Sequence, residues 1–177
     1  PFILEHTPMP TAQRTLRAPN AVWFAPVKAQ LETGGQATFR LTGRSMRPFL
    51  EHERDHVVVA SARGRQIKRG DVVLAQLGDD VYVLHRVWRI EGDNMVLRGD
   101  GNPYITEQCR RGDIVAVAVG FLRGPQRKPC ALTSRAWRLH SALWPASPLG
   151  RRILLRLHRM LVLPWFPIVG HGRVEGV

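Results

Sequence analysis

Residues 81–90 run VYVLHRVWRI, and their alternation sets the architecture. Tyr82, Leu84 and Arg86 fall on one side of an extended chain while Val83, His85 and Val87 fall on the other, the period-two pattern of a strand rich in β-branched and aromatic residues. Runs of the same kind lie on either side: HVVVA at 56–60, DVVLAQ at 71–76, NMVLR at 94–98 and DIVAVAV at 113–119. Gly-Asp pairs and similar turn formers punctuate them. The intervals are too short for crossover helices, so the strands must pair antiparallel. Upstream, Val22, Trp23 and Phe24 and then Thr38, Phe39 and Leu41 read as two more strands, joined by a turn at Thr33-Gly34-Gly35. The expected class is mostly β: an antiparallel unit over 21–124, preceded by a proline-dotted arm over 1–20.

Beyond Pro125 the texture changes to helix. Thr133 or Ser134 can cap a short helix through Trp137, Leu139 and Leu143, ended by Pro145 and Pro148. A second helix is expected from near Gly150, where Ile153, Leu154, Leu157, Met160 and Leu161 recur every three or four residues and Arg152, Arg156 and Arg159 line another face. The uncharged run MLVLPWFPIVG (160–170) follows, with Trp165 and Phe166, broken by Pro164 and Pro167. Residues 125–177 are thus expected to be a basic α-helical C-terminal extension. Three accounts fit it: a hairpin packed on the β unit with its arginines in water, an element docking on an anionic membrane surface, or a stripe tracking nucleic acid phosphates. Nucleic acid ranks last, because neither a helix-turn-helix nor a zinc-finger pattern accompanies it.

Composition agrees. The 177 residues carry 26 Lys or Arg against 14 Asp or Glu, a net charge of +12, and residues 121–177 hold +9 of it. Only Lys28, Lys68 and Lys128 are lysines, so the charge is an arginine charge. Cys109 and Cys130 stand in neither a CxxC nor a zinc-ligand spacing, and two cysteines cannot make a disulfide-dense scaffold. No metal or cofactor is expected. No stretch reaches the roughly 18 apolar residues a membrane span needs, and the expected location is cytoplasmic or peripheral to a membrane.

The chemistry concentrates in Thr42-Gly43-Arg44-Ser45-Met46-Arg47-Pro48-Phe49-Leu50, where a serine follows a flexible glycine and precedes a proline. A serine hydroxyl is a weak nucleophile until a base takes its proton. His85, on a strand face otherwise made of valines, is either a satisfied core histidine or that base. Order and context favour the base. The blocks GRSMRPFL, Asp55–Val59, IKRGDVVLAQ, VLHRV, VLRGDGN and RRGDIVAV resemble, over 38–122 and in the same sequence, the type I signal peptidase and LexA-type serine peptidase superfamily. His85-Arg86-Val87 stands where most members carry a lysine base, and so is similar to the Ser-His variant of the endoplasmic-reticulum and archaeal signal peptidases.

That resemblance implies a signal-peptidase-like β core and a bacterial serine endopeptidase that processes leader or signal segments. Ser45 is then the nucleophile, His85 the base and Asp100, in Arg98-Gly99-Asp100-Gly101-Asn102, the supporting acid. Ser-His relatives carry a second aspartate about six residues later; Thr106 and Glu107 stand there, making Glu107 the reserve acid, with Asp113 behind it. Many signal peptidases place a serine two residues before the nucleophile; Gly43 occupies that position, leaving the oxyanion to the Ser45 N–H, with Thr42 beside it. Arg44, Met46 and Pro48 are expected to shape the substrate groove. Asp71 and Asp113, in Gly-Asp turns, are expected to accept backbone hydrogen bonds at strand starts. His52 and His56 flank Asp55 at a spacing that suits a metal only on a helix, and the VVV run makes this segment turn and strand. The docking residues would be Arg152, Arg156, Arg159, Trp165 and Phe166. Two alternatives keep the fold: a binding module for peptides or a partner without catalysis, and a soluble cytoplasmic leader peptidase acting on modified peptides.

Overall fold

The structure, a computed structural model, describes residues 20–161 apart from 79, 80, 125, 133 and 146. The arm over 1–19 and the run from 162, with Trp165 and Phe166, lie outside the described residues. Eight antiparallel strands make one sheet: β1 (Gln36–Arg40), β2 (His56–Ser61), β3 (Val72–Gln76), β4 (Tyr82–Glu91), β5 (Asn94–Arg98), β6 (Glu107–Arg110), β7 (Ile114–Arg123) and β8 (Lys128–Ala131). Their order is β1-β2-β7-β3-β4-β5-β6. One edge of β7 pairs with β2, and the other is shared by β3 at Ile114–Val117 and β8 at Gly120–Arg123. Among the described residues three α-helices join the sheet: α1 (Asn20–Glu32), α2 (Arg135–Leu143) and α3 (Pro148–Leu161).

The alternation of β4 divides two apolar clusters. Tyr82 and Leu84 pack against one, centred on Val57, Val59, Leu74 and Phe121; Val83 and Val87 belong with the other, around Val73, Met95 and Leu97. His85 therefore leaves β4 on the second side. At Trp88 a bulge interrupts this order, because Val87 faces Leu97 while Arg89 faces Val96.

Four features depart from the sequence expectations. Residues 20–32 are helix, not strand, and Gly34-Gly35 close that helix rather than a hairpin: Gly34 has φ +81°, its N–H donates to Leu31 O (3.1 Å), and that of Gly35 donates to Gln30 O (3.2 Å). This is the Schellman arrangement, and the same glycine pair that ends a helix also suits a turn between strands. Strand β6, EQCR, was not foreseen because Cys109 is its only apolar residue. Strand β8, KPCA, contains Pro129, which a strand paired on one side tolerates. The sheet thus continues past residue 124, the expected end of the β unit. Two helix starts follow the capping logic. Ser134 Oγ accepts the Trp137 N–H (3.3 Å), and Ser147 Oγ accepts the Gly150 N–H (3.1 Å), so α3 begins at Pro148, two residues earlier than expected. α2 packs on the core, since Trp137 is buried against Phe49 and Phe121 with ring centroids at 4.6 and 4.8 Å. Among the described residues, no helix is long and apolar enough to cross a membrane.

Candidate active site

The loop between β1 and β2 carries Ser45. Leu41, Met46, Phe49 and Leu50 are buried and pin it to the core, whereas Thr42, Gly43 and Arg44 are exposed. Between those pins the chain turns tightly, the Arg47 N–H donating to Arg44 O and the Leu50 N–H to Met46 O. Gly43 sits at φ +99°, a conformation that disfavours any other residue, and its N–H donates to His52 Nδ1 at 2.9 Å. His52 is therefore a brace for the turn. Asp55 holds the loop's far end: Arg54 donates to both carboxylate oxygens (2.8 and 2.7 Å), and the Glu51 and Gly124 N–H groups donate at 2.8 Å each. Burial alone would raise the Asp55 carboxyl, but the Arg54 hydrogen bond and the two amides together hold it below the ordinary value of 3.8.

His85, 5% exposed, shares a cleft of about 130 Å³ with Ser45. The cleft is also lined by Thr42, Gly43, Met46 and Tyr82 to Leu84. Nδ1 of His85 donates to Glu107 Oε2 at 2.8 Å. A carboxylate can only accept, so this bond places a proton on Nδ1, and of the two neutral tautomers it favours the one with its lone pair on Nε2, which a general base requires. Ser45 Oγ makes no hydrogen bond to the imidazole in this conformation, and such contacts commonly tighten only with substrate present.

The acid expected first is not the one on His85. Asp100 is fully buried and faces Arg86, accepting from Nε (2.9 Å) and Nη2 (2.7 Å). Arg86 leaves β4 on the side opposite His85, so the two carboxylates serve opposite faces of one strand. Glu107, the reserve, reaches His85 because it pairs with Leu97, on the same side as Val87. Asp113 lies elsewhere, its carboxylate accepting the Arg110 N–H (2.7 Å) beside a separate hollow of about 580 Å³. Asp71 likewise accepts the Lys68 N–H (2.8 Å), as its turn position predicts.

The strap Gly99-Asp100-Gly101 packs directly against the Ser45 turn. Gly99 follows Arg98, the last residue of β5, which pairs with Arg86 next to His85. A Cβ there would lie 2.5 Å from Ser45 O and 3.0 Å from Ser45 Cβ, and one on Gly101 would lie 2.6 Å from Arg44 O. The missing side chains make room for the serine beside the histidine. Gly101 N–H closes the contact by donating to Ser45 O at 2.7 Å.

Arg151 carries no distinguishing signal in the sequence. This α3 residue is 1% exposed and donates to Pro145 O (2.8 Å), Gly99 O (3.0 Å) and Asp100 O (3.4 Å), with Trp88 and Trp144 beside its guanidinium. Burial and the neighbouring Arg98 charge push its pKa down to about 10, so it remains a cation at neutral pH. His158, two turns on, is held below the ordinary imidazole value by burial, with Glu51 opposing and Arg47 and Arg54 reinforcing. In sequence Arg151 is one more arginine in a basic helix. Its burial, shared in part by Leu155 and His158 on the same side of α3, distinguishes it.

Of the expected groove residues, Thr42 and Met46 line the cleft with Ser45, whereas Arg44 and Pro48 belong to its supporting turn, Pro48 following a cis peptide bond. Arg152, Arg156 and Arg159 are exposed on α3. No family model, curated protein or solved structure matches the chain.

Proposed function

We propose that the protein is a serine endopeptidase that cuts leader or signal segments of other polypeptides, with Ser45 as nucleophile, His85 as base and Glu107 as its supporting acid. The observation that carries this reading is the shared cleft of Ser45 and His85 with Glu107 on the far ring nitrogen. It is joined by the resemblance of six sequence blocks to the signal peptidase and LexA-type superfamily, which suggests a signal-peptidase-like core with a basic extension. His85 Nε2 takes the Ser45 proton as Oγ bonds to the scissile carbonyl carbon. The carbonyl oxygen gains negative charge beside the Ser45 N–H, and Glu107 stabilises the imidazolium. Collapse of the adduct breaks the C–N bond, with His85 returning the proton to the leaving amine. Water repeats the sequence on the acyl-enzyme.

Substrate shape follows from the cleft. Val83 to His85 have a strand partner, β3, on one side only, because pairing with β5 begins at Arg86. An extended peptide can add along the other side. A cleft of about 130 Å³ admits small side chains next to the cut. The test is labelling of the full chain by a serine-directed acylating probe, read by intact mass. Wild type is expected to label at Ser45, and Ser45→Ala and His85→Ala are expected to lose labelling while circular dichroism stays unchanged. Folded wild-type protein that binds leader peptides yet never acylates would instead be a binding module.

A further inference from the structure

α3 has three sides at about 100° per residue. Arg151, Leu155 and His158 turn toward the protein, and Arg152, Arg156 and Arg159 form an exposed second side. The third is apolar and uncovered: Leu149 is 65% exposed, Ile153 52%, Leu157 46% and Met160 64%. This inverts the packed-hairpin account, in which the apolar side would be buried. Tyr104 and Ile105, also exposed, adjoin this helix, since Arg152 donates to Tyr104 Oη at 3.1 Å.

We propose that α3, with Tyr104 and Ile105, seats the protein on the surface of an anionic phospholipid bilayer. This inference stands whether or not the peptidase reading does. Charge identifies the occupant. Neither α2 nor α3 contains an acidic residue, while their exposed positions carry Arg135, Arg138, Arg152, Arg156 and Arg159. A second copy seated here would set arginines against arginines, whereas anionic headgroups meet them and the acyl boundary receives the leucines. The 14 residues of α3 extend about 21 Å, enough to lie in the interface and short of the about 30 Å needed to cross it. Tyr104 is suited to headgroup depth, with an apolar ring and a polar tip. Seated this way, the β5–β6 loop that leads into Glu107 faces the lipid surface.

The test is flotation of the full chain with phosphatidylcholine vesicles, with and without about one-third phosphatidylglycerol. Wild type is expected to float with the anionic vesicles and to be released by high salt. Arg152→Glu, Arg156→Glu and Arg159→Glu combined should weaken binding at least about 100-fold. Ile153→Ser, Leu157→Ser and Met160→Ser combined should also abolish flotation. All six positions are exposed, so thermal melts should remain unchanged in both variants. Absence of wild-type flotation, equal binding to neutral vesicles, or undiminished binding by either variant would overturn the proposal. So would tighter retention by duplex oligonucleotide than by anionic vesicles, or a wild-type dimer that the apolar triple variant dissociates.

Discussion

Exchanging each of two carboxylates for its amide should separate stability from chemistry. Asp100 is wholly buried, and its oxygens receive two guanidinium bonds from Arg86, itself 7% exposed. Asp100→Asn leaves that cation without its counterion, a change that costs about 3–5 kcal/mol when both partners are buried. With a urea dependence of about 2 kcal/mol per M, the midpoint should fall by roughly 1.5–2.5 M. Glu107 has a side chain 21% exposed and one bond to His85. Glu107→Gln should cost no more than about 1 kcal/mol, because water reaches the site and screens the charge. Its effect belongs on the reaction. The amide no longer stabilises imidazolium and can present an N–H to Nδ1, turning the ring to the wrong tautomer, so acylation of Ser45 should slow by about 10³–10⁴-fold. The assay pairs urea melts by tryptophan fluorescence with probe labelling by intact mass. Glu107→Gln labelling within tenfold of wild type would refute the assignment of the acid. An Asp100→Asn variant with an unshifted midpoint would refute the account of its ion pair.

Three further outcomes follow from the surroundings of the site. Gly99→Ala should push the Ser45 turn off its strap, since the new Cβ meets Ser45 O at 2.5 Å; a loss of about 1–3 kcal/mol and at least tenfold slower probe labelling are expected, measured by thermal melt and mass spectrometry. Asp55→Asn should destabilise the protein by about 2–4 kcal/mol at pH 7. Because the folded Asp55 carboxyl titrates below 3.8, its contribution is complete above that value and lost as pH falls through the lower folded value, so wild-type and variant melting curves should converge under acid. Cys109, 8% exposed with its thiol pushed up to about 11 by burial and then by Asp113, should resist iodoacetamide at pH 8, and the half-buried Cys130 should be alkylated first by peptide mapping.

The central strands were legible because each is a run of β-branched residues with glycine turns at its ends, and β4 carries the alternation that sorts His85 from Arg86. The edge strands β6 and β8 were not, since pairing on one side asks little of their side chains. Residues 20–32 misled for a different reason: a glycine pair marks the end of an element without saying whether it is a helix. At the candidate site, Ser45 and His85, which share one cleft, both stand out in local sequence. Choosing between Asp100 and Glu107 required knowing which side of β5 and β6 faces His85, a register that no local pattern encodes. Arg151 was hidden more thoroughly, because its burial depends on contacts about 50 residues away in sequence.

Those contacts bear on when the Ser45 turn gains its full support. Gly99 and Asp100 present their carbonyls to a guanidinium that follows them in the chain by 52 and 51 residues. During synthesis the serine and histidine emerge early, yet the strap behind them lacks its last donor until α3 leaves the ribosome. A chain that stops short of α3 would thus hold Ser45 and His85 on a frame that lacks these two contacts.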